Sequence, residues 1–229
     1  EMCIRDRVQP GSSANARVNP AEVKWPGYVE AMNAAGLGAA VEKNALATRR
    51  AYGAALKIAG DLVPQVVALD ADVSNSTFAE VFAKAHPDRF FECKIAEQNM
   101  VGVAAGMATL GFVPWLSTFA AFMANRATDQ VRIVVAQPHL NVKMCGAYSG
   151  ILTGKTGKTQ QSVEDFAIFR AMPGVVTIAP ADAVEMRSAM RVMQETPGPM
   201  YLRVTRDPSP TIFPADYQFE IGAGVLLRE

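Results

Sequence analysis

The chain has 229 residues, half of them hydrophobic, enough to fill a substantial core in one large domain or in one domain with part of a second. Its 22 lysines and arginines balance 22 aspartates and glutamates, so no basic excess points to nucleic acid or to an anionic membrane, and any anion must be bound locally. Three scattered cysteines, Cys3, Cys93 and Cys145, exclude a disulfide framework and a paired zinc site. The longest apolar run, Met100 to Leu116, is interrupted by glycines and Pro114 and is marginal for a membrane span, so a soluble protein of a reducing cytoplasm is expected.

The opening "EMCIRDRVQPGSSANARVNP" lacks the apolar stretch of a secretory signal and shows no periodicity; its first seven residues are set aside from fold reasoning. Neither end reads as complete: there is no initiator methionine, and "GAGVLLRE" stops as a new strand begins. From about Asn44 the pattern alternates. Helix-like "TRRAYGAALKIAG" leads to the strand "QVVALDA", the helix "FAEVFAKAH" and a short extended run "RFFECKI". The small-residue helix "EQNMVGVAAGMATLG", the strand "FVPWLST", the helix "FAAFMANRATDQVRIVVAQ" and the strand "LNVKMCG" follow. After a glycine-rich loop, 147–158, come helix "VEDFAIFRAM", strand "GVVTIAP", helix "AVEMRSAMRVMQE" and strand "MYLRV".

Such alternation predicts parallel strands joined by crossover helices, a three-layer α/β/α domain with a mainly parallel sheet over 44–207. Residues 1–43 are an N-terminal extension. "RDPSPTIFPAD", with three prolines in eleven residues, reads as a linker, so that 208–229 hold that linker and the start of a further domain. In open sheets of this kind ligands bind at the carboxyl ends of the strands, and the polar clusters "DADVSNST", "KIAEQN", "STF" and "AYSGILTGKTGKTQQ" fall there.

Glu97 opens a helix at the door of the core. An acid in a first turn is favoured by the helix dipole alone, but a buried carboxylate could also exchange a proton with a bound heterocycle. Phe119 and Phe122 lie three apart, as core residues or as an aromatic platform. Ser117 or Thr118 would cap the helix that carries them. If Thr48 is an N-cap, Arg49 and Arg50 oppose the dipole of their own helix, which an anion such as phosphate would relieve; Arg206 could converge on it. A P-loop reading of "SGILTGKTGKT" fails on spacing, since Ser149 and Leu152 stand where its first glycine should be. His86 and His139 are the only histidines, too few for a multi-histidine metal site and poorly suited to a triad.

Together "ATRRAYGAAL", "ALDADVSNSTF", "ECKIAEQNMVGVAAGMA", "LSTFAAF", "KTQQSVEDFAIFR", "TIAPADAVE" and "YLRVTRDPSP" resemble the pyrimidine-binding domain of transketolases, from about Ala47 to Phe213. The resemblance implies the thiamine diphosphate-binding fold, thiamine diphosphate as cofactor, and transfer of a two-carbon ketol unit between sugar phosphates. It implies that Glu97 binds the ring nitrogen N1′ of the cofactor's aminopyrimidine and thereby activates it. Phe122, with Phe119 beside it, would form the aromatic pocket for that ring, and Asp72 matches an aspartate near the cofactor. Arg49, Ser76 and Arg206 match the residues that hold the substrate phosphate. Gln160, counted with Glu97 among the catalytic positions, matches a substrate-site position that is histidine in many members and glutamine in others.

The chain also departs from the family. Tyr148 stands where a histidine usually contacts the reacting oxygens, and Thr156 where an aspartate reads a substrate hydroxyl; both are expected to set specificity. The acidic "GEDGP"-like loop is here "GKTGK", so Lys155 and Lys158 suggest a more anionic or differently hydroxylated acceptor. No GDG-to-asparagine magnesium motif occurs, so Mg2+ and diphosphate ligands are expected from a partner domain and no metal ligand from this chain. That implies a homodimer or heterotetramer with a diphosphate-binding transketolase subunit or domain, this chain resembling the C-terminal subunit of a split enzyme. Deoxyxylulose phosphate synthase, the β subunit of a 2-oxo acid dehydrogenase and a catalytically silent assembly or regulatory subunit are the competing readings.

Overall fold

The structure, a computed structural model, describes residues 18–227. The elements in chain order begin with the short helices α1 (Tyr28–Ala34) and α2 (Gly38–Glu42), the strand β1 (Leu46–Ala47) and the long helix α3 (Thr48–Leu62). Then come β2 (Val66–Asp70), α4 (Ser74–Thr77), α5 (Glu80–Ala85), β3 (Phe90–Glu92), α6 (Glu97–Thr109) and β4 (Val113–Phe119). Next follow α7 (Ala120–Arg126), α8 (Thr128–Gln130) with a π-helical turn (Val131–Ala136), and β5 (Lys143–Ala147). The series closes with α9 (Asp165–Arg170), β6 (Val176–Ile178), α10 (Ala183–Glu195), β7 (Met200–Arg203) and β8 (Pro208–Ser209).

Six strands form one parallel sheet in the order β3-β2-β4-β5-β7-β6, with Ala68 opposite Phe90, Val66 opposite Val113 and Trp115 opposite Lys143. Every residue of β2, β4 and β5 is buried, as expected of central strands covered on both faces. On one face lie α3 and α10, whose Tyr52, Leu56, Met186 and Met190 pack with Trp115 and Leu202; on the other lie α6, α7 and the π-helical turn, with Met100, Ala104, Met123 and Val135 around Leu116 and Met144. The fold is thus the three-layer α/β/α arrangement expected. The chain moves outward from β2 to β3 and then returns past β2 to β4, so the topological switch point, where open sheets bind ligands, lies between the carboxyl ends of β2 and β4.

Three local expectations need correction. The helix predicted over 119–137 is broken: α7 stops at Arg126, Ala127 leaves the helix, and the chain resumes through α8 and the π-helical turn. Phe119 is the last residue of β4, so Ser117 and Thr118 are strand residues and cap nothing. Thr48 is the first residue of α3 rather than its cap; its hydroxyl bonds Thr205 Oγ1 at 2.9 Å, tying α3 to the segment after β7.

The flanks pack on the same body. Trp25, Tyr28, Met32 and Leu37, within the N-terminal extension, are buried beside α3 and α10. The proline-rich segment read as a linker is pinned back: β8 pairs antiparallel with β1, Asp182 Oδ2 accepts from Ile212 N and Phe213 N at 2.7 and 2.9 Å, and Phe213 is buried. The other Asp182 oxygen accepts from Glu185 N at 2.8 Å and caps α10, so one carboxylate starts a helix and docks the chain beyond β8. No strand follows β8 among the described residues; Tyr217, Phe219 and Ile221 lean on the core instead. The first seven residues, set aside above, and Cys3 lie outside the described residues.

Candidate functional site

The switch point is where the backbone is most strained. Asp72 after β2, Phe78 after α4, Lys94 after β3 and Tyr148 after β5 all have φ between 57° and 66°, a conformation that costs a side chain on the order of 1 kcal/mol. Main-chain and side-chain bonds hold these turns in place. Asp70, fully buried at the end of β2, accepts from Val73 N at 2.7 Å and Thr77 Oγ1 at 3.2 Å, while Glu92 Oε1 accepts from the amides of Asp72 and Lys94. Burial pushes the Asp70 carboxyl up to about 7 against the pull of those two bonds, with Glu92 adding to the rise. Asp72 itself is exposed and lies 3.8 Å from the Lys94 ammonium.

Glu97 begins α6 with its side chain 3% exposed. Arg126, the last residue of α7, donates from Nη1 to Glu97 Oε1 at 2.8 Å while its guanidinium lies 3.8 Å from the centre of the Phe122 ring. The strand-to-helix junction at Phe119 sets this up: α7 rises directly from β4, so Phe122 and Arg126, one turn apart, share a face toward Glu97. Phe122 in turn lies 5.4 Å from the Phe119 ring, and Phe119 meets Tyr148 edge-on at 4.4 Å. Thr118, in β4 next to Phe119, has a buried hydroxyl without a partner among the described residues.

Tyr148 joins this aromatic wall to a cationic corner. Its hydroxyl accepts from Arg49 Nη1 at 3.1 Å, and its ring lies 5.2 Å from the Arg49 guanidinium and 5.5 Å from that of Arg206. Arg49 Nε donates to Arg206 O and Nη1 to Ser76 O, both at 2.9 Å, so α3, α4 and the segment after β7 meet at one side chain. Phe78 lies against both Arg49 and Arg50, at 5.1 and 5.7 Å. That approach needs Gly53, since a Cβ there would sit 2.5 Å from Phe78 O. Burial and, among the neighbouring charges, Arg206 disfavour the charge on Arg49, an electrostatic strain that an anion would relieve.

Glu97, through Arg126, and then Phe122, Phe119, Tyr148, Arg49, Ser76 and Arg206 therefore form one chain of contacts. Gln160 and Thr156 are not joined to it. Gln160 accepts from its neighbour Thr159, and Thr156 is exposed and bonds Thr153, both within the loop after β5. Arg126 and Phe78 join these contacts without having been singled out in the sequence, and Asp70 and Thr118, which lie in its polar clusters, were given no part in ligand binding. Arg126 carried one signal, its helical spacing from Phe122; its pairing with a residue 29 positions away did not show. Among the described residues no group of three or more histidines, cysteines, aspartates and glutamates is placed to hold a metal ion, and no helix is long and apolar enough to cross a membrane. A surface cleft of about 640 Å³ between Trp25–Glu30 and α10 shares no residue with the site.

The profile of the transketolase pyrimidine-binding domain matches residues 44–210. The chain belongs to the transketolase family. It is 43% identical over 185 residues to a transketolase of Homo sapiens, an alignment that covers 80% of this chain and 29% of the human one. It is 42% identical over 181 residues to a putative transketolase C-terminal section of Methanocaldococcus jannaschii, covering 78% of this chain and 57% of that one. Among solved structures it is similar to a split-gene transketolase determined as an inactive β4 tetramer, with 43% identity and a TM-score of 0.72 over 80% of this chain and 59% of the other. A transketolase of Campylobacter jejuni, 24% identical with a TM-score of 0.69 over 74% of this chain and 27% of that one, shares the fold. This chain spans less than two thirds of each of these transketolases.

Proposed function

We propose that this chain is the pyrimidine-binding part of a thiamine diphosphate-dependent transketolase, acting on sugar phosphates and completed by a diphosphate-binding domain on a partner subunit. The observation that carries the reading is Glu97, an almost wholly buried carboxylate whose protein partner is a half-exposed arginine lying on an aromatic face. The residues present fit an aminopyrimidine: a carboxylate for a ring nitrogen and the Phe122 and Phe119 rings for its faces. When bound, thiamine diphosphate supplies the nucleophilic carbon for ketol transfer.

In this reading Glu97 holds a proton at the ring nitrogen, Phe119 and Phe122 exclude water from the ring, and Asp72 lies near the cofactor. Arg49, Arg206 and Ser76 hold the substrate phosphate, with Arg49 fixed by two main-chain carbonyls. Gln160 acts with Glu97 at the reacting centre, and Tyr148 and Thr156, with Lys155 and Lys158, govern which sugar is taken. Mg2+ is held by ligands of the partner domain.

The test is C2-proton exchange of thiamine diphosphate, followed by NMR, in a mixture of this chain, magnesium and a matching diphosphate-domain subunit. Faster exchange in the mixture than with either chain alone is expected, and Glu97→Ala should slow it by about 10²-fold or more while leaving the fold intact. Normal exchange in the Glu97→Ala mixture would sink the assigned role. A complex that forms without acceleration would favour a silent assembly subunit.

A further inference from the structure

Arg126 repeats, with the protein's own atoms, what a pyrimidine ring would do in this site. A guanidinium is planar and delocalised, stacks on aromatic faces, and donates N–H bonds in its own plane to a carboxylate. Arg126 makes both contacts at once: 3.8 Å above the Phe122 ring and 2.8 Å from Glu97 Oε1. An aminopyrimidine stacked on the same ring and bonded to the same carboxylate cannot occupy that space together with it.

We propose that Arg126 is an internal competitor for the pyrimidine site, which pairs with Glu97 when the site is empty and must swing away before the ring can enter. The proposal rests on the reading of Glu97 and Phe122 as a pyrimidine site. Two features make the swing feasible. The Arg126 side chain is 46% exposed, and among the described residues Glu97 is its single acidic partner, so rotation delivers it to water. Its backbone stays in place, because Gln98 Nε2 donates to Arg126 O at 2.9 Å across the start of α6. Arg49 is built differently: carbonyls of Ser76 and Arg206 fix its guanidinium, so it cannot leave without breaking the corner.

The pairing also explains how the site persists without its ligand. A buried carboxylate left alone is strongly destabilising, and Arg126 compensates Glu97 until the ring takes over. The cost appears in binding, since apparent affinity falls by the fraction of molecules in which the competitor is already out.

The experiment titrates thiamine, which needs no diphosphate site, into the full chain by isothermal calorimetry, comparing wild type with Arg126→Ala, Arg126→Lys and Glu97→Gln. Thermal unfolding of each without thiamine runs in parallel. Arg126→Ala should bind on the order of tenfold more tightly than wild type, yet unfold at a lower temperature without thiamine. Arg126→Lys, which keeps the charge and loses the planar stack, should show a smaller gain and covers the case in which the alanine variant does not fold. Glu97→Gln should bind weakly or not at all. Wild-type binding that is unchanged or weakened by both Arg126 variants overturns the competitor and leaves the pyrimidine site standing. Absence of saturable binding in wild type and both variants overturns the site and the competitor together.

Discussion

Both ends of the sheet hold buried or half-buried cations, and the two ends treat them differently. At the amino end Arg89 donates to the carbonyls of Gly60, Val63, Pro64 and Val66, and Lys143 to those of Thr196 and Gly198 at 2.7 and 2.9 Å. These charges close the ends of α3 and α10, where helix carbonyls lack partners. At the carboxyl end Arg126 and Arg206 lie against aromatic rings and touch single carboxylates, and Arg49 stands between the two patterns. A cation enclosed by carbonyls can be replaced only by unravelling a helix end. A cation resting on a ring and touching one carboxylate is free to turn toward a ligand, which is what the proposed function asks of the carboxyl end.

Paired substitutions would break the comparison most directly. Arg89→Ala should cost roughly 3 kcal/mol or more in urea unfolding, because several buried carbonyls lose a charged donor at once. Arg206→Ala should leave stability nearly unchanged, as its ion pair with the half-exposed Asp207 is worth little, while, on the proposed function, weakening sugar-phosphate binding. Equal losses of stability from the two substitutions would mean that the carboxyl-end cations hold the fold as well.

Asp70 provides a pH-dependent version of the same contrast, as a buried acid at the carboxyl end of the sheet whose hydrogen bonds come from Val73 N and Thr77 Oγ1 rather than from a cation. Its folded pKa, about 7, lies above the ordinary value of 3.8, so the folded state binds the proton more tightly than the unfolded one. The stability this contributes is complete below about pH 4 and is lost as pH rises through about 7. Asp70→Asn keeps an acceptor for Val73 N and cannot ionise. It should flatten the fall in stability between pH 4 and 7 and be more stable than wild type at pH 8 by on the order of 2–4 kcal/mol. Parallel urea curves at pH 5 and 8 check this; an unchanged slope would show that Asp70 is not the group responsible.

The sheet was readable because its central strands are buried on both faces and appear as unbroken apolar runs, QVVALDA and FVPWLST, between amphipathic helices. The polar loops at their carboxyl ends were legible too, and they carry the contacts that run from Glu97 to Arg206. Arg126 was hidden because α7 was drawn too long: in an unbroken helix from 119 to 137 it is one more exposed cation, and only the stop at Ala127 leaves it as a helix end beside α6. Trp25 and Met32 escaped notice for a different reason. They precede the alternating pattern and are held by contacts with α3 and α10 that no local periodicity records.

Ser117 and Thr118, adjacent hydroxyls that both looked like helix caps, offer the finest test of where structural work ends and ligand space begins. Strand alternation turns Ser117 toward α3, where it shares a 2.7 Å bond with Tyr52 OH, and turns Thr118 to the opposite face, where its hydroxyl has no partner among the described residues. Ser117→Ala leaves the buried Tyr52 hydroxyl unsatisfied and should cost about 1–2 kcal/mol. Thr118→Val removes only an unpaired hydroxyl from an apolar setting, so it should be neutral or stabilising by up to about 1 kcal/mol. If Thr118→Val instead destabilises as much as Ser117→Ala, its hydroxyl is satisfied within the fold and is not held open for a ligand. If it is neutral to folding but weakens thiamine binding, the hydroxyl belongs to the binding end, with Glu97 and Phe122.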